Sequence, residues 1–164
     1  MLLRNCARRS RRGATLAESA VVFTVLFFLL FGIIVGGLGI FRYQMVATLA
    51  REGARYASVH GADFQSETGQ MAATRATIFS EAIQPKAFTL NLTASDIQVQ
   101  LVTPSGAVDW DGSNKAVTTT NAGVTQRNSV RVTVTYQWFP EVSTLLGPVG
   151  PITLTSTSTM PMSF

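Results

Sequence analysis

Two positions near the start of the chain could do chemistry. Glu18 is a lone carboxylate just inside a long apolar run, and the 23 residues from Ser19 to Phe41 carry no formal charge. A charged side chain at the centre of a membrane helix costs about 2.5–3.5 kcal/mol, so a carboxylate at the edge of such a helix calls for a cationic partner or a proton. Five residues upstream stands Gly13, preceded by Arg11 and Arg12 and followed by Ala14. Elsewhere the chemical groups are sparse. His60 is the only histidine and Cys6 the only cysteine, so neither a histidine metal site nor a disulfide can be assembled. Asp109-Trp110-Asp111-Gly112 has the look of a calcium loop but lacks its further carboxylates and reads as a solvated turn. No serine sits in a nucleophile-elbow pattern. Trp110, Trp138 and Phe139 read as core or loop anchors. The sequence thus predicts no enzyme activity, no metal and no cofactor.

The element that must position Gly13 and Glu18 is a helix. About 20 residues at 1.5 Å each cross a hydrocarbon core of about 30 Å, and the stretch from Ala14 to Phe41 has no polar stripe. It reads as a single membrane span over 14–41. Arg4, Arg8, Arg9, Arg11 and Arg12 precede it with no acidic residue among them, which holds the N-terminus in the cytoplasm and sends the C-terminal part outward. The net charge of +4 and the pI near 9.8 come from this basic head, residues 1–13. The remainder is nearly neutral and offers no basic face for nucleic acid. A twin-arginine or ordinary secretory signal would have a shorter apolar run closed by a small-residue cleavage site. Cys6 precedes the run, the wrong order for a lipoprotein. Within the span, Gly32 and Gly36 form a small-xxx-small pair that lets two membrane helices approach closely, and with Gly37 and Gly39 beside them they could loosen the helix.

The helical pattern continues past the span to His60-Gly61. Met45, Val46, Leu49, Ala50, Gly53, Ala54 and Ala57 form one narrow face of small and apolar residues, and Glu52 and Arg55 can pair across a turn. Residues 62–164 follow as an α+β domain. Ser66 to Ile83 reads as a second, shorter helix ending before Pro85. Strands are expected over Ile97–Thr103, Ser129–Phe139 and Ile152–Met160, with Phe88–Thr93 as a possible short one. Pro104–Asn128 reads as a long exposed loop and Pro140–Pro151 as a second connection. The fold class is therefore α+β: a long N-terminal helix, a second short helix and a small antiparallel sheet whose apolar face the emerging half of the first helix covers.

The head, Arg11-Arg12-Gly13-Ala14 with Glu18 ahead of the apolar run, resembles a type IV-type prepilin signal. In that class a dedicated peptidase cuts after the glycine and a glutamate stands fifth in the product. Together with Ala50–Ala57 (AREGARYA) it resembles the TadE-like family, the minor pilins or pseudopilins of the tight-adherence, Flp-type pilus system. Ser19 departs from the apolar residue that commonly follows the glutamate. The resemblance implies a pilin-like fold, cleavage between Gly13 and Ala14 with loss of the basic leader, and residence in the bacterial inner membrane with the C-terminal domain periplasmic or extracellular. It implies as partners the bilayer, a prepilin peptidase, other pilins or pseudopilins and the assembly machinery. Glu18 would then meet the new α-amino group of a neighbouring subunit or of its own chain, or take up a proton. The alternative expectation is an uncleaved, membrane-anchored binding or adhesion domain whose threonine-rich sheet recognises a surface ligand.

Overall fold

The computed structural model describes residues 10–112, 114–119, 122–140 and 150–163. Its first element, α1, is one unbroken helix over Ser10–Val59, so the glycines at 32–39 do not interrupt it. The chain divides into two compact units, residues 1–39 and 40–164, and α1 contributes to both.

In the first unit the described side chains of α1 are mostly exposed and none is buried. Its most apolar stretch has a mean hydropathy of 2.8 and none of it is buried, which makes it a candidate membrane span. Phe23, Val25, Ile33 and Ile34 are each about two-thirds exposed, as expected for side chains whose solvent is lipid.

The second unit is α+β. Among the described residues six strands follow the helices: β1 (Ile97–Thr103), β2 (Gly106–Asp109), β3 (Val117–Thr119), β4 (Thr125–Arg127), β5 (Ser129–Trp138) and β6 (Ile152–Pro161). Four make an antiparallel sheet in the order β2-β1-β5-β6, and β3-β4 form a separate hairpin. Alternation assigns the faces. Ile97, Val99 and Leu101 of β1 and Val130, Val132 and Val134 of β5 are buried, while their neighbours in sequence are not. Against this face packs the C-terminal part of α1 through Val46, Leu49, Ala50, Ala54 and Ala57. Small side chains there let helix and sheet come close. A Cβ on Gly53 would lie 3.0 Å from Ile83 Cδ1 and 3.2 Å from Val132 Cγ1.

Three expectations are corrected. The single helix over 66–83 is two elements: α2 (Ala62–Thr68) and α3 (Arg75–Ile78), the latter continued by a π-turn over Phe79–Ile83 and a 3-10 turn over Gln84–Lys86. Gly69, at φ +74, closes α2, and the Thr74 hydroxyl accepts from the Thr77 N–H at 3.2 Å to start α3. Pro104–Asn128 is not one loop, since β2, β3 and β4 lie within it. Phe88–Thr93 forms no strand. The connection at Pro140–Pro151 lies mostly outside the described residues.

Backbone bonds fasten the end of the unit furthest along α1. Ala73 N donates to His60 O, Ala62 N to Asn114 O, Met162 N to Asn128 O and Ser163 N to Ser58 O, all at 2.8–2.9 Å. Buried Trp110 donates from Nε1 to Ala73 O at 2.6 Å.

Candidate functional site

Gly13 and Ala14 lie within α1, near the N-terminal end of its described part. Gly13 is exposed, with no atom of the chain within 4 Å of the place a Cβ would take. The side chains of Arg11, Arg12 and Ala14 are outside the described residues. Glu18 is exposed one turn and a half further on, and its carboxylate makes no ion pair with any described residue. The hydroxyls around it are turned inward: Ser19 Oγ donates to Thr15 O and Thr24 Oγ1 to Ala20 O, both at 2.8 Å. Bonding of this kind spends a hydroxyl on the helix's own carbonyl, while the Glu18 side chain is exposed. Gly32 and Gly36 are likewise open, with nothing within 4 Å. Gly13, Glu18 and the glycine pair are spread along one exposed helix and are not gathered into a pocket.

The second sequence block, Ala50–Ala57, sits where α1 meets the sheet. Its Ala and Gly positions face inward, and Arg51 and Arg55 face out. Glu52, on the flank, accepts from Arg55 at 3.2 Å and from Lys86 Nζ at 3.0 Å. The Lys86 contact and, less strongly, that of Arg55 hold its carboxyl below the ordinary value despite partial burial. Next to it the Tyr56 and His60 rings stack at 4.0 Å, and Phe64 tilts against His60 at 4.6 Å. Nδ1–H of His60 donates to Tyr56 O at 2.8 Å, which fixes that ring in place. Burial, and then the charge of Glu81, raise the Tyr56 phenol above its usual pKa. Glu52, Arg55, Tyr56, His60, Glu81 and Lys86 line a cavity of about 300 Å³. Sequence reasoning found the Glu52–Arg55 pair but missed the rest of this cluster. The i, i+4 run Tyr56-His60-Phe64 was a readable signal for the stack, but no pattern links Lys86 to Glu52. Among the described residues no three His, Cys, Asp or Glu side chains are placed to hold a metal ion.

An open glycine near the N-terminal end of the described helix, a carboxylate five residues on, an exposed apolar helix and a small-residue face beyond it occur in one continuous segment. Comparison with known protein families places that segment. Residues 13–55 match the TadE-like protein family. The match opens on Gly13 and runs through Glu18, Gly32, Gly36 and Gly53 to Arg55. The matched segment takes in the apolar stretch read as the span, 14–41, and most of the helix face that packs on the sheet, while α2, α3 and every described strand lie outside it. No curated protein and no solved structure matches the chain.

Proposed function

We propose that this TadE-like protein is a minor pilin or pseudopilin of a tight-adherence pilus system, cut by a prepilin peptidase between Gly13 and Ala14. It is a structural subunit and a peptidase substrate, not a catalyst. The observation that carries the reading is the pairing of Gly13 with Glu18 at the mouth of an exposed apolar helix, at the point where the family match begins. Arg11 and Arg12 hold the leader in the cytoplasm, where the peptidase would meet it. Cleavage removes the basic head and leaves a new amine one helical turn from Glu18. The carboxylate has no partner among the described residues, so a neighbouring subunit's amine can neutralise it as parallel helices assemble. Gly32 and Gly36, uncovered by the chain itself, would be the close-approach point between those helices. Partners are then the inner-membrane bilayer, the peptidase, and other pilins or pseudopilins, with the α+β domain outside the cytoplasm.

The test is the N-terminus of protein extracted from membranes. It should read Ala14-Thr15-Leu16, and a terminus at Met1 or Leu2 would remove the pilin reading. Gly13→Leu should leave the uncut form as the dominant species on a gel. Glu18→Ala should be cut normally yet be recovered in sheared pili or in cross-linked pilin complexes several-fold less than wild type. Normal recovery would mean that Glu18 has no part in assembly.

A further inference from the structure

The cavity beside the Tyr56–His60 stack has no part in the reading of Gly13 and Glu18, and every residue that lines it belongs to the second unit. One wall is the last turns of α1. The other is the π-turn over Phe79–Ile83 with the 3-10 turn that follows it. A π-turn is uncommon, and where one occurs it is frequently at a functional site. Here it buries Ala82 and Ile83 and leaves Glu81 exposed on the cavity. At about 300 Å³ the space lies at the small end of the range for ligand pockets. The charges around it are not equally engaged. Arg55 and Lys86 both bond Glu52, at 3.2 and 3.0 Å. Glu81 makes no hydrogen bond or ion pair with any described residue, and neither does the Tyr56 hydroxyl. The Glu81 charge reaches that hydroxyl all the same, since after burial it is the second cause that raises the phenol pKa. Nδ1–H of His60 is taken by Tyr56 O, which leaves Nε2 of the neutral ring as an acceptor.

We propose that this cavity is a socket for one basic side chain, an arginine or lysine presented by a partner protein, with Glu81 as its ion-pair acceptor. What the cavity offers an incoming group is a carboxylate, a phenol oxygen and an imidazole nitrogen, with Val59 and Ala82 as apolar wall. The complement of that set is a cation that carries N–H donors on an apolar stem. The occupant is a side chain because the mouth is open. The Arg55 side chain is 72 % exposed and that of Lys86 51 %, so the tip of a larger molecule enters while its body stays outside. A guanidinium fits best, since its fork can bond Glu81 and the Tyr56 hydroxyl together. The proposal holds whether or not the leader is cut, because it uses no residue before Glu52.

His60 is the only histidine in the chain, so full-length protein in detergent micelles, carrying isotope-labelled histidine, gives one imidazole NMR signal from the cavity wall. Titrated at fixed pH with acetyl-arginine-N-methylamide, that signal should move along a saturable curve in the millimolar range. The citrulline analogue has the same shape without the charge and should move it several-fold less at equal concentration. Glu81→Gln is an exposed, near-isosteric change and should weaken the arginine curve several-fold, with tryptophan fluorescence showing that the fold is kept. An absent or unsaturable shift would overturn the proposal. So would an equal response to the citrulline analogue, or an arginine curve unchanged in E81Q. A stronger response to acetyl-glutamate-N-methylamide would overturn it in favour of an anion site at Arg55 and Lys86. A much tighter curve with putrescine would overturn it in favour of a free diamine.

Discussion

Gly53 is where α1 comes closest to the rest of its domain, and Gly53→Ala sets two effects of opposite sign against each other. In an open helix the change is worth about 1 kcal/mol in favour of alanine. At this position the added Cβ would sit 3.0 Å from Ile83 Cδ1 and 3.2 Å from Val132 Cγ1, both contacts inside a core with no exposure at Ile83 or Val132. Overpacking of this kind costs about 1–3 kcal/mol, so the net result is a loss of about 1 kcal/mol. Ile83→Val removes the atom at 3.0 Å and should cost about 1 kcal/mol by itself. In that background Gly53→Ala should become neutral or stabilising, a coupling of about 1 kcal/mol. Trp110 and Trp138 are both buried in the second unit, so tryptophan fluorescence in detergent during urea titration reports that unit and not the span. With a slope of about 2 kcal/mol/M, the single Gly53→Ala midpoint should fall by roughly 0.5 M. A rise in midpoint of similar size, with no coupling to Ile83, would falsify the argument that the small-residue face exists for close packing.

Two further expectations concern the same domain. Trp110→Phe keeps a ring but strands the buried Ala73 carbonyl; it should lower stability by about 2 kcal/mol in thermal unfolding followed by circular dichroism. Because Glu52 has its carboxyl pKa held below 4.5 by Lys86 and Arg55, its ion pairs contribute fully above about pH 4.5. They fade as pH falls through the lowered value. Glu52→Gln should flatten that limb of a stability–pH profile and cost about 0.5 kcal/mol at neutral pH.

The helical and strand periods were legible because burial repeats with them. Val130, Val132 and Val134 alternate with Arg131, Thr133 and Thr135, and the first three are buried. The inward face of α1 from Val46 to Ala57 could be read off 3.6-residue spacing in the same way. The break between α2 and α3 was written in Gly69 and Thr74, but the apolar spacing around them imitates one helix, and capping chemistry outweighs it. Residues 104–128 hid three short strands because β2, β3 and β4 are almost wholly exposed, so no burial alternation marks them. The hairpin β3-β4 is held by Asn128 instead, whose Nδ2 donates to Lys115 O and Thr118 Oγ1, a polar contact without a sequence period. At the candidate site, Gly13 and Glu18 stood out because a charge and a glycine are conspicuous beside an apolar run.

The bond from Ser163 N to Ser58 O has a consequence for when the domain can form. Strand β6 pairs with β5 over its full length, and Met162 is fully buried, yet these residues follow the end of α1 by about 100 positions. The helix is made first, and its bond to the end of the last strand waits until the final residues of the chain are available. Closure of the sheet therefore depends on contacts distant in sequence, which are slow to form. During that interval an alanine- and glycine-lined helix and an open sheet edge are exposed to other chains, so local crowding, as much as final stability, sets how many molecules reach the native state.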